Sequence, residues 1–260
     1  MAKQGWKKFP HADKAFAYPG AALKKHWARL HCGDREPFPA DEAVQEAWRL
    51  YHQGEFQKAS EAGVAAGPDG YNAANKATMI YATYLEDNEL RKLALFQSIA
   101  SRCEELQRVQ PKNVNAHYFQ AYALGRYSQG ISVLNALTQG LGGRIKAALE
   151  RALTLDPKHA EAHIALGAYH AEVVDKMGAM VAKLTYGASK ELSLKHFDTA
   201  LKLMPDSAIA CIEYANALVM LFGQSRMDEA ARLYEKAAAA TPVEAMECLD
   251  AELARAELAD

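Results

Sequence analysis

RIKAALERALTLDPKHAEAHIALGAYH, residues 144–170, decides the fold. Its first half sets Ile145, Leu149, Ala152 and Pro157 at steps of four, three and five. Its second half sets His163, Leu166, Gly167 and His170 at steps of three, one and three. Residues three and four apart share one face of a helix. Pro157 has no N–H with which to continue the first helix, and its ring drives Asp156 away from the helical region. Ala152 and Gly167 are small enough to let two backbones come close. The stretch reads as helix, proline turn, helix.

This layout resembles the junction between two tetratricopeptide (TPR) repeats, whose pattern runs aromatic-x2-Leu-Gly-x2-aromatic, then Ala-x3-aromatic and a proline. Working outward, a matching set precedes four prolines, Pro111, Pro157, Pro205 and Pro242. At minus 12, minus 8 and minus 5 stand Ile99, Cys103, Leu106; Ile145, Leu149, Ala152; Ser193, Phe197, Ala200; and Ala230, Tyr234, Ala237. A weaker hairpin precedes them at Ala47, Leu50, Gly54, Phe56, Ala59 and Ala66, with no proline closing it at the expected place. The first helix of the second unit, about residues 72–86, has no clear register.

The proline intervals are 157 − 111 = 46, 205 − 157 = 48 and 242 − 205 = 37. Against a repeat of about 34 the excesses are roughly 12, 14 and 3. The same differences appear between the two helices of each unit, where Leu124 to Ile145, His170 to Ser193 and Leu218 to Ala230 replace a step that is normally about nine. The extra residues therefore lengthen the hairpin tips and leave the junctions between units alone. Two tips are apolar: Ile131, Val133, Leu134, Leu137 and Leu141 in one, Val173, Val174, Met177, Met180, Val181, Leu184 and Tyr186 in the other. Large bare apolar patches are uncommon on soluble monomers, so these tips are expected to be covered by each other, a ligand or a second chain.

The expected fold is all-α: a right-handed α-solenoid of about five TPR-like hairpins, lengthened in units 3 and 4. A basic-aromatic extension with a short helix occupies residues 1–40, the solenoid 41–242 and a capping helix 243–260. Leu23, Trp27 and Leu30 mark the short helix, Asp41 and Ser189 are expected N-caps, and Val243, Met246, Leu249, Leu253 and Leu258 mark the last helix. The long hairpins and the run ALGAYHAEV…YGAS…HFDTALKLMP are similar to two divergent branches of the repeat family. These are the regulator-of-microtubule-dynamics family and the T component associated with TRAP transporters. The second resemblance implies an oligomer with a path for a small apolar ligand.

Composition narrows the function. The 30 basic and 32 acidic residues nearly cancel, so no global nucleic-acid or membrane field is implied. Charge is uneven: residues 1–40 carry 8 − 3 = +5, and the rest 22 − 29 = −7. The lysines Lys3, Lys7, Lys8 and Lys14 alternate with Trp6, Phe9, Phe16 and Tyr18. Without a recognition motif, the better reading is an arm whose aromatics pack on the first repeat, and nucleic acid is disfavoured. No apolar run forms a secretory signal or a membrane span, and Cys32, Cys103, Cys211 and Cys248 lack paired spacing. A cytoplasmic protein is expected.

No catalytic residue, metal or cofactor is expected. His159 and His163 have a spacing that can serve one ion, but His163 and His170 fall where the repeat wants large packing side chains. Gly140, Gly142 and Gly143 read as a flexible joint, since neither GxGxxG nor a Walker lysine is present. TPR proteins line their concave face with positions 2, 5, 9 and 12 of the first helices. The resemblance carries these onto Val44, Trp48 and Tyr51 in the first unit. In the third they are Asn115, Tyr118 and Tyr122, with Phe119 beside them. In the fourth and fifth they include Glu161, Ile164, Ala168, Ala171, Ile209, Ile212, Asn216 and Val219. Position 5 holds no lysine or asparagine, so the carboxylate clamp of chaperone-binding members is not expected.

Two functions follow. The first is a non-enzymatic adaptor or scaffold binding a protein or peptide through an apolar-aromatic groove. The chain's own arm or C-terminal helix is the competing occupant of that groove. The second is a carrier or transport-associated protein for a small apolar ligand, in a cavity walled by residues 130–143 and 172–187. Its wall would be Leu134, Leu137, Met177, Met180, Leu184 and Tyr186, and a homo-oligomer is compatible with either function.

Overall fold

Proline turns and the caps beside them punctuate the chain. In a computed structural model, which describes residues 5–259, the residue two after the proline caps the next helix in three successive turns. Asn113 Oδ1 accepts from the Ala116 amide at 3.0 Å, His159 Nδ1 from Ala162 at 3.0 Å, and Ser207 Oγ from Ala210 at 3.2 Å. Each satisfies an amide that has no partner in the first turn of a helix. Asp41 and Ser189 cap their helices through Ala43 and Leu192, at 2.7 and 3.3 Å.

The hairpins follow in order. α1 (Ala21–Leu30) precedes α2 (Glu42–His52) with α3 (Phe56–Ala65), and α4 (Tyr71–Tyr84) with α5 (Glu89–Val109). α6 (Val114–Gln129), the tip helix α7 (Val133–Thr138) and α8 (Leu141–Leu155) form the third unit. α9 (Ala160–Met177), the short α10 (Ala179–Val181) and α11 (Lys190–Leu203) form the fourth. α12 (Ala208–Phe222) and α13 (Met227–Ala238) form the fifth, and α14 (Ala245–Ala259) ends the chain. No strand occurs among the described residues, so the fold is an all-helical array of TPR-like hairpins. Extra residues sit at the tips: α7 in the third unit, α10 with a π-helical turn (Ala182–Tyr186) in the fourth, and a short 3-10 turn (Gly223–Arg226) in the fifth.

Contacts divide the chain into two compact units. The first runs through residue 31, resumes over 35–148 and adds 243–246; the second takes 32–34, 149–242 and the residues from 247 onward. In the first unit each helix from α2 to α6 packs on the next, and the first helices α2, α4 and α6 also pack in succession along one face. In the second, α9 packs on α11 and α12, and α12 on α13. Of the twelve residues at minus 12, minus 8 and minus 5 from the four prolines, only Tyr234 is not buried. The repeat of these positions is thus a repeat of the core.

Two expectations need correction. The first hairpin does have a closing proline: Pro68 has Phe56, Ser60 and Gly63 at minus 12, minus 8 and minus 5, all buried. A Cβ on Gly63 would lie 2.6 Å from the Gly70 carbonyl, so the packing here is backbone against backbone and the usual apolar side chain is missing. Second, Gly142 and Gly143 belong to the first turn of α8, and only Gly140, with φ 61, is the joint. Residues 208–238 are long and apolar enough by composition to cross a membrane, but Gly223, with φ 55, folds them into the α12–α13 hairpin. Within the chain the apolar tips are covered in part: Leu141 and Val174 are buried, while Leu134 is 70% exposed, Met180 76% and Leu184 80%, with Val133, Leu137 and Val181 also exposed.

Candidate functional site

The first helices of the first unit carry the groove positions, and the chain itself covers them. Trp48 on α2 is fully buried, with the Trp27 ring edge-on at 5.9 Å and His31 edge-on at 4.6 Å. Val44 and Tyr51 are equally buried, and the Tyr51 hydroxyl donates to Met246 Sδ at 3.1 Å. His52, beside them, bonds through Nδ1 to the buried Glu244 carboxylate. On α6, Tyr118 and Phe119 are buried, while Tyr122 is half-exposed, bonded to Thr83 Oγ1 at 2.9 Å with Arg126 over its ring. Helix α1 and residues 243–246 therefore occupy much of the aromatic surface that repeat spacing assigns to a partner.

Between α1 and α2 an extended stretch lies against α4 and α6. Asn72 on α4 donates from Nδ2 to both oxygens of Glu36, at 2.8 and 3.1 Å, and Asn115 on α6 donates to Oε2 at 2.6 Å. The indole Nε1 of Trp27 donates to the Glu36 carbonyl at 2.7 Å, and Gln45 Nε2 donates to the Pro39 carbonyl at 2.9 Å. Phe38 meets Trp27 edge-on at 5.0 Å, with Lys24 Nζ 5.5 Å from its ring. A carboxylate, a carbonyl and an aromatic ring are thus gripped in sequence, as a peptide ligand would be. Two amide donors share this carboxylate, and hydrogen bonds to an ionised carboxylate are stronger than neutral ones. Asn115 is among the expected groove positions. Asn72 is not, since α4 has no readable register.

A family model for regulator of microtubule dynamics protein 1-3 matches residues 44–258, most of the chain and all five hairpins apart from the first residues of α2. The chain belongs to this family. No curated protein matches it in sequence. This family member is also similar to the crystal structure of a thermophilic TPR protein from Thermus thermophilus, with a TM-score of 0.59 and 15% identity. That match covers 83% of this chain and 98% of the other, and at such identity it speaks for the fold alone.

In the second unit of this family member, Ile164 is buried in the core with Phe197 and Tyr214, and Ala168 and Ala171 pack there too. Ile212 on α12 is buried in a cluster with Ala237 and Ala254, the last from α14. Asn216 remains exposed and accepts from the Tyr234 hydroxyl. Of the other wall residues, Met177 and Tyr186 are half-buried, and Tyr186 packs against the same core as Val173. His163 finds its partner on α11: its Nδ1 lies 2.9 Å from His196 Nδ1, while His159 is engaged as a cap. His196, 33 residues away in sequence, carries no spacing signal. Burial, then the neighbouring His163, His170 and Lys195, hold its pKa down to about 4.

Proposed function

We propose that this protein is a non-enzymatic adaptor that binds an extended, carboxylate-bearing peptide of a protein partner on the face of α2, α4 and α6. The observation that carries the reading is the grip of Asn72, Asn115 and Trp27 on Glu36. It is a peptide seat taken by residues 35–39 of the chain itself. The TPR-like fold and the family support a protein-interaction scaffold. Tyr118, Phe119 and Trp48 then act as the apolar floor beneath the seat, and Tyr122 as its exposed edge. Cys32, Cys103, Cys211 and Cys248 form no disulfide, which suits a cytoplasmic setting.

The test uses the whole chain. A fluorescent peptide copying residues 33–40 is titrated against wild type and against Glu36→Ala/Phe38→Ala, in which the internal occupant has lost its side chains. Tighter binding to the variant, by about tenfold or more, and its loss when Asn115→Ala is added, supports the seat. Equal or no binding to all three proteins overturns it.

A further inference from the structure

We infer that the seat selects an acidic peptide whose residue after the acid is not proline, because Asn72 holds an acceptor for that residue's N–H. The inference rests on the peptide-seat reading and specifies the peptide that fits it. Asn72, on α4, is 4% exposed. Asn113 Oδ1 accepts the Ala116 amide, so the Asn72 atom 3.1 Å from it must be the donor Nδ2. The same Nδ2 holds the Glu36 carboxylate at 2.8 and 3.1 Å. Asn72 Oδ1 is buried and accepts from no group among the described residues. Leaving a buried acceptor unserved costs more than a typical hydrogen bond returns, so such atoms are uncommon. This one belongs to the amide that grips the peptide.

The present occupant accounts for the missing donor. Residues 35–39 read Arg-Glu-Pro-Phe-Pro, and Pro37 and Pro39 have no N–H. Each proline keeps the residue before it extended, which suits Glu36 and Phe38 to lying across the helices, but it removes an amide. On the other side of Glu36, the Arg35 amide is engaged, donating to the His31 carbonyl at 2.9 Å. The acid's own N–H is common to the occupant and to any ligand, so it makes no difference between them. The amide after the acid is therefore where a ligand offers what the chain's own segment lacks. Arg35 also enters the seat at φ 52, a left-handed conformation that L residues rarely adopt. A segment strained at its entry and short of a donor is a displaceable occupant. A partner's peptide carries neither handicap.

Three fluorescent peptides copying residues 33–40 test this against the full-chain Glu36→Ala/Phe38→Ala variant. One has the native sequence, one carries Pro37→Ala, and one carries N-methylalanine at that position, which removes the donor and keeps the small side chain. The Pro37→Ala peptide is expected to bind about fivefold or more tightly than either of the others. With Asn72→Ala added to the protein, its advantage over the N-methyl peptide falls below about twofold, as a double-mutant cycle requires of a direct bond. Equal binding of the alanine and N-methylalanine peptides overturns the inference and leaves the seat standing. An advantage that persists without Asn72 overturns it as well. Binding by none of the three peptides removes the seat itself.

Discussion

Gly167 on α9 and Phe197 on α11 touch so closely that a Cβ on the glycine would sit 2.8 Å from the ring. The Ser193 hydroxyl donates to the Gly167 carbonyl at 2.8 Å and fixes the approach one turn away. Phe197 is fully buried and cannot swing aside. Gly167→Ala therefore sets a helix-propensity gain of about 1 kcal/mol against overpacking of about 1–3 kcal/mol. The net expectation is a loss of about 1 kcal/mol, and more for Gly167→Val. Gly125 on α6 meets nothing within 4 Å, so Gly125→Ala is neutral or stabilising. Denaturant unfolding of the pair checks this, and equal responses contradict it.

His52 and Glu244 are a buried hydrogen-bonded pair, both essentially without solvent access. Removing one partner from such a pair costs about 3–5 kcal/mol, because the other remains buried without it, whereas replacing both with apolar groups is far less costly. Glu244→Leu is thus expected to destabilise strongly, and His52→Leu/Glu244→Leu to be more stable than Glu244→Leu alone. If the double variant loses the sum of the two single losses, the pair is not coupled.

Glu36 draws its seat from Asn72 and Asn115, 43 residues apart and on different helices. That distance shows what could be read in the sequence. Ile145, Leu149 and Phe197 were legible because helical spacing and a fixed distance to a proline repeat in every unit, and the added residues could be assigned to the tips by subtraction. The turn at Pro68 was hidden because Ser60 and Gly63 pack by hydroxyl and backbone, which apolar patterning does not register. The groove positions were legible as a face of the first helices. What covers them was legible only as a choice between a partner and the chain's own arm or C-terminal helix, since nothing in the spacing of Trp48 records that Trp27 lies against it. His196 was invisible as a partner of His163 for the same reason: their meeting is made by the hairpin and not by local sequence.

Trp6 stacks on Tyr81, with centroids 4.1 Å apart and planes 13° apart, and holds the basic arm to the first unit. The Trp6 amide donates to Gln57 Oε1 at 2.9 Å, Lys7 pairs with Asp87, and the Phe9 ring fills the space over Gly54, whose φ is +88. Lys3 lies outside the described residues. A stacked pair contributes about 0.5–1.5 kcal/mol beyond the area it buries. Trp6→Ala should raise trypsin cleavage at Lys7 and Lys8 about two- to tenfold, by mass spectrometry, with little change in global melting. An unchanged cleavage rate speaks against the strap.

His196 contributes to the pH response of the second unit, beside His163, whose pKa burial also lowers. Burial is the main reason the folded pKa of His196 falls to about 4, with His163, His170 and Lys195 adding repulsion. In the unfolded chain an imidazole titrates near 6.5, so between those values the unfolded state binds the extra proton. Stability is therefore full above about pH 6.5, declines as pH falls toward about 4, and gains no further slope from this group below that. Carboxylates titrate in the lower part of that window, so the measurement is a difference. The free-energy gap between wild type and His196→Gln should narrow steadily from about pH 6.5 to about 4 and stay constant above that range. A His196 imidazole proton resonance that titrates between about pH 6 and 7 in the folded protein would show that the ring is hydrated, and the predicted window would vanish with it.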